Sequence, residues 1–112
     1  IEWTASDESV LSNSLLHSDN ELCDIRYGEM EKYFPRRYEK DGASIVVFFR
    51  DHQLSDKIGF DYYNWDANDA AKDFVAHIHF IRSTILERFG EEELRKACIS
   101  VILDGENCWE HY

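Results

Sequence analysis

Two polar clusters follow directly on apolar runs. Cys98-Ile99-Ser100-Val101-Ile102-Leu103 leads into Asp104-Gly105-Glu106-Asn107, and Ser44-Ile45-Val46-Val47-Phe48-Phe49 leads into Arg50-Asp51-His52. Carboxylates delivered at the end of a buried strand suit an α/β active-site rim, because chemistry in parallel sheets and barrels sits where the strands end. Asp104, as the last strand residue, is held by rigid backbone, and Gly105 lets the chain turn sharply after it. The plain alternative is that Asp104 caps a turn and Glu106 faces solvent. Asp51 and His52 are placed to hydrogen-bond a ligand's hydroxyls or to tune Asp104. Their plain alternative is an ion pair with Arg50 and a surface imidazole. Trp3 and Trp109 flank acidic residues, and sugars present apolar C–H faces that stack on aromatic rings. Packing under a loop explains each tryptophan as readily.

A second chemistry uses the same residues. Asp51, His52, Asp104 and Glu106 offer oxygen and imidazole ligands for a divalent ion. The lack of a tight DxH or HxxxH pattern counts against it. His77 and His79 lie two apart on a helical stretch, so they point in different directions and do not share a metal.

The elements that must hold these groups are read from patterning. The run 44–49 is apolar without alternation, as expected of a parallel strand buried on both faces. Leu54 to Tyr62 is a short helix with Gly59 as its weak point. Asp66 is the expected N-cap of the longest helix. Phe74, Ile78, Ile81, Ile85 and Phe89 recur at spacings of four and three, which marks one buried face, and Gly90 stops that helix. Glu91 to Lys96 add a turn or two before the strand at Cys98. Two buried strands joined by a long helix make a right-handed parallel βαβ unit, with both polar ends on one rim. Thr4 to Leu11 reads as a helix start, with Asp7 in a capping role. If Ile1-Glu2-Trp3 ends a strand, Glu2 and Trp3 join the rim. Trp65 staples the start of the long helix. Residues 18 to 42 form an irregular, partly helical excursion closed by an Asp41-Gly42 turn.

Composition narrows the partners. The chain has 112 residues and a formal charge of -11. That size fits one small domain. The charge argues against nucleic acid and anionic membranes, both of which need cationic surface, and suits a neutral ligand such as a sugar. No apolar stretch approaches the roughly 20 residues that span a bilayer. The three cysteines, Cys23, Cys98 and Cys108, are odd in number and without CxxC spacing. Reduced thiols in the cytoplasm are the simplest account.

Three segments carry a family resemblance. Glu2-Trp3-Thr4-Ala5-Ser6-Asp7-Glu8, Phe49-Arg50-Asp51-His52-Gln53-Leu54-Ser55-Asp56-Lys57-Ile58-Gly59-Phe60 and Leu103-Asp104-Gly105-Glu106-Asn107-Cys108-Trp109-Glu110 together resemble the α-glucan-active enzymes of glycoside hydrolase family 57. The resemblance runs through nearly the whole chain. It implies a (β/α)7 barrel, a retaining mechanism and no metal or organic cofactor. It makes Asp104 the acid/base aspartate, with Trp3, Asp51, His52, Glu106 and Trp109 around the substrate. The implied substrate is an α-glucan or maltooligosaccharide, as in α-amylases and glucanotransferases. The family's glutamate nucleophile has no counterpart here. The expectation is therefore an internal piece of a longer chain, about three barrel strands carrying half of the catalytic pair, with the rest of the parent chain as its partner. A non-catalytic glycan-binding module is the third reading. Retaining chemistry needs two carboxyl groups about 5–5.5 Å apart, and burial of Asp104 beside Glu106 would keep its proton near neutral pH.

Overall fold

The computed structural model describes residues 2–7, 28–103 and 112. The chain divides into two compact units, one of Ile1–Asp51 with Lys96–Ser100 and one of His52–Arg95 with Val101–Tyr112.

The first unit is built on a three-stranded sheet in the order β1-β3-β2. Strand β1 spans Trp3–Asp7, β2 spans Arg36–Lys40 and β3 spans Ala43–Arg50. β1 runs parallel to β3, with Trp3 opposite Val46 and Asp7 opposite Arg50. β2 runs antiparallel to β3, with Arg36 opposite Val47 and Lys40 opposite Ala43. Asp41 and Gly42 close this hairpin at φ 51° and 80°. Two successive positive φ values define the type I′ turn whose twist matches its strands, and Asp-Gly is its sequence signature. Ser100 forms a parallel bridge to Arg50. β1 already occupies one edge of β3 up to Arg50, so Ser100 lies on the other edge, beyond the point where β2 ends.

Three expectations give way to this architecture. The sheet is mixed rather than wholly parallel, since β2 runs antiparallel to β3. The excursion expected at 18–42 is a 3-10 helix at Gly28–Tyr33 followed by β2, while residues 18–27 lie outside the described residues. β2 carries Arg, Arg, Tyr, Glu and Lys, so no apolar alternation announced it; edge strands favour such charges because they discourage further pairing. Finally, Thr4–Asp7 is strand, not helix. Its small polar residues read as caps in isolation, but pairing along β3 overrides that local preference.

β3 is covered less evenly than a strand buried on both faces. Phe49 is only 4% exposed, while Ile45 to Phe48 are half-buried. The 3-10 helix turns every three residues, so Met30 and Tyr33 fall on one side, and both are buried.

The second unit is helical. His52–Asp56 is α-helix, Lys57–Asp61 widens to π-helix around Gly59, and Tyr62–Asn64 tightens to 3-10. The long helix covers Ala67–Phe89. Asp66 caps it, its side chain accepting from the backbone N–H of Asn68 and Asp69. Gly90, at φ 91°, ends it, a conformation that glycine adopts without the steric cost of a Cβ. Ile81 and Ile85 are buried, and Phe74, Ile78 and Phe89 are half-buried, so the expected stripe is the inner face. Glu91–Leu94 forms the short helix after Gly90. Trp65 turns its ring edge-on to Tyr62 at 5.2 Å. No helix of the described residues is long and apolar enough to cross a membrane.

Candidate functional site

The carboxyl-end rim of the sheet gathers polar groups from five segments of the first unit. β1 and β3 end opposite each other, and Arg50 Nη1 donates to Asp7 Oδ1 at 3.0 Å. Both side chains are part-buried, so this pair is better shielded from water than a surface bridge. One residue on, Asp51 is 2% exposed. Tyr33 Oη donates a hydrogen bond to Asp51 Oδ2. The Asp51 backbone N–H donates to Ser100 O at 2.8 Å, and the Cys98 N–H donates to Tyr33 O at 2.7 Å. Beside Tyr33, the buried Glu31 carboxylate accepts from Arg36 at the start of β2. A buried carboxylate demands donors of this kind, because leaving it unpaired costs more than the hydrogen bond contributes.

The candidates drawn from the sequence separate on this framework. Asp51 sits at the rim but is closed off from solvent, and its carboxylate accepts from Tyr33. Trp3 opens β1 instead of ending it. It lies about 13 Å back from Asp7 at the rise of a strand, is 63% exposed, and meets Phe48 edge-to-face at 6.0 Å. Neither Trp3 nor Glu2 joins the rim; Asp7 does, in an ion pair with Arg50. His52 starts the second unit, is exposed, and reaches Asp56 at 2.8 Å. Asp104, Glu106 and Trp109 lie outside the described residues. Among the described residues, no group of three or more His, Cys, Asp or Glu side chains could hold a metal ion. His77 approaches Asp73 at 3.6 Å, and His79 is exposed.

Tyr33 and Asp7 are the rim residues that sequence reasoning missed. Asp7 carries the same signal as Asp51, a polar residue at a strand end, once β1 is seen to be a strand. Tyr33 carries no local signal, since its partner lies 18 positions away.

A second polar cluster lies within the helical unit. Asp73 accepts from Tyr62 Oη at 2.6 Å and from Lys57 Nζ at 3.3 Å. The Tyr62 hydrogen bond, with Lys57 and His77 adding to it, holds the Asp73 carboxyl below its ordinary value despite partial desolvation. Burial first, and Asp73 second, push the Tyr62 hydroxyl well above its ordinary value. Folding therefore weakens proton binding at Asp73 and strengthens it at Tyr62. The Asp73 contribution is complete above about pH 4 and is lost as pH falls through the lowered folded value. The Tyr62 contribution is complete below about pH 10 and is lost as pH rises toward the raised folded value. Urea melts across both limits test this assignment. Asp73→Asn should flatten the acid limb and Tyr62→Phe the alkaline limb; unchanged limbs would refute it.

The model for Glycosyl hydrolase family 57 matches residues 1–112, the whole chain, and the chain belongs to that family. Membership brings the family's glycoside hydrolase chemistry, its carbohydrate substrates and its (β/α)7 barrel fold. The described sheet is a small mixed α/β part and not a whole barrel of that kind. Neither the curated proteins nor the solved structures yield a match.

Proposed function

We propose that this chain carries the acid/base part of a retaining glycoside hydrolase or glucanotransferase acting on α-glucans. The observation that carries this reading is the family match over all 112 residues. The Leu103–Glu110 motif supports it, and so does the parallel bridge that sets Ser100 beside the end of β3.

In this reading a glutamate attacks the anomeric carbon while the Asp104 carboxyl gives its proton to the departing glycosidic oxygen. The C–O bond breaks and a glycosyl ester forms. The Asp104 carboxylate then takes a proton from water, or from the hydroxyl of an acceptor sugar. That oxygen attacks the anomeric carbon and frees the glutamate. Glu106, Trp109 and His52 contact the sugar. Asp51, being buried, and Trp3, being distant from the rim, are not assigned that role. Displacement occurs twice at the same carbon, so its configuration is kept.

The test is the anomer first released when the full-length protein cleaves maltooligosaccharides, followed by proton NMR. The α-anomer should appear first and mutarotate afterwards. Initial release of the β-anomer, or no turnover, would overturn the proposal.

A further inference from the structure

Three residues of the helical unit stand in one row because its backbone leaves α geometry twice. In an α-helix, residues five apart point about 140° away from each other. Here the Tyr62 N–H donates to Lys57 O, the five-residue closure of a π turn, and the two side chains come to one side. Lys57 Nζ lies 5.6 Å from the centre of the Tyr62 ring. The next turn is 3-10, closed by the Trp65 N–H on Tyr62 O at 3.1 Å, and residues three apart in that geometry eclipse. Trp65 therefore follows Tyr62, and Lys57 Nζ lies 5.8 Å from its ring as well. Single π turns are rare and recur at functional sites.

The long helix supplies the acceptor. Asp73 and His77 lie four residues apart on it. Tyr62 Oη, Lys57 Nζ and His77 Nε2 all meet the same Asp73 oxygen, Oδ2, at 2.6, 3.3 and 3.6 Å. Oδ1 takes part in none of these contacts, and the Asp73 side chain is part-exposed. Lys57 gives Asp73 one of the three N–H donors an ammonium carries. Tyr62 is buried, whereas Trp65 beside it is 44% exposed. The group thus offers an open indole, a carboxylate oxygen and further ammonium donors. The opposite charges of Lys57 and Asp73 offset each other, which suits a neutral ligand rich in hydroxyls. Aromatic faces take up the apolar C–H side of such a ligand.

We infer that Trp65, Asp73 and Lys57 form a sugar-binding subsite. The indole stacks on one glucose unit of an α-glucan, Asp73 Oδ1 accepts from its hydroxyls and Lys57 Nζ donates to them. That the sugar is an α-glucan rests on the proposed activity.

The test follows Trp65 directly, by fluorine NMR of the full-length protein labelled with 5-fluorotryptophan and titrated with maltoheptaose. The resonance missing from Trp65→Phe is that of Trp65; Trp65→Tyr gives the same assignment if the first variant does not fold. The Trp65 resonance should shift and saturate. Shorter oligosaccharides released by cleavage present the same sugar faces, so turnover does not hide the shift. Lys57→Met keeps the aliphatic stem and removes the donors. It should raise the midpoint read at this resonance by about tenfold, the scale of one charge-assisted hydrogen bond; an unchanged midpoint would overturn the part given to Lys57. If maltoheptaose is cleaved while the Trp65 resonance stays in place, the subsite alone fails. If the resonance moves without cleavage, the subsite stands and the proposed hydrolase activity fails. If maltoheptaose is neither cleaved nor bound, the α-glucan assignment fails and the subsite with it.

Discussion

Asp104→Asn is expected to lower maltooligosaccharide turnover by about 10²- to 10⁴-fold, the range that a positioned general acid or base contributes. The amide is nearly isosteric but has no proton acidic enough to give to the leaving oxygen, which must depart as a poorly stabilised anion. The second step suffers too, because the amide does not take the proton of water. Glycan affinity should persist, since the side chain keeps its size and hydrogen-bonding capacity. Turnover and binding, by calorimetry with a maltooligosaccharide, check the two halves separately. A variant that binds and still turns over at the wild-type rate would remove Asp104 from the chemistry. A variant that neither binds nor turns over would assign Asp104 to substrate binding instead.

Ile85→Ala carries the largest expected cost in stability. Ile85 is 1% exposed on the long helix, whereas Phe80 on the same helix is 66% exposed. Truncating a fully buried isoleucine removes its transfer free energy and leaves a cavity, about 2–5 kcal/mol together. Phe80→Ser removes more apolar surface but from a solvated position, where changes fall within about 0.5 kcal/mol. Urea midpoints for the two variants should therefore separate widely. Similar midpoints would mean that the stripe at Phe74, Ile78, Ile81, Ile85 and Phe89 is not the covered face.

Strong local signals made part of this fold legible in the sequence. β3 is an uninterrupted apolar run, the long helix has both its periodicity and its stops, and Asp41-Gly42 names its own turn. Gly59 marked a weak point, and there the helix widens to π geometry rather than breaking. β1 and β2 were not legible because they are strands by pairing rather than by pattern. Thr4 and Ala5 in β1 and Arg37 to Lys40 in β2 are exposed, so no alternation of apolar residues records the sheet. The same difference governs the site. Strand-end residues such as Asp51 stand out from the apolar run before them. Whether such a residue faces a ligand or a buried tyrosine is decided by a contact 18 positions away, which a local reading does not reach. Trp3 shows the complementary failure, since reading it as the end of a strand instead of the beginning moved it to the wrong edge of the sheet.

The hairpin fills Ala43–Val47 on one edge of β3, and Ser100 pairs on that same edge at Arg50. These two events belong to different times in folding. A hairpin closed by two residues assembles in about 1–10 μs. Ser100 lies fifty positions beyond its partner Arg50 and arrives only after a far longer loop has closed, at greater entropic cost and lower rate. The late segment thus meets an edge whose lower part is already taken, with Phe48 to Arg50 left to receive it. A misaligned arrival further down would have to melt β2 first. The hairpin therefore acts as a doorstop, excluding wrong landings of the late segment before the contacts of the rim are made.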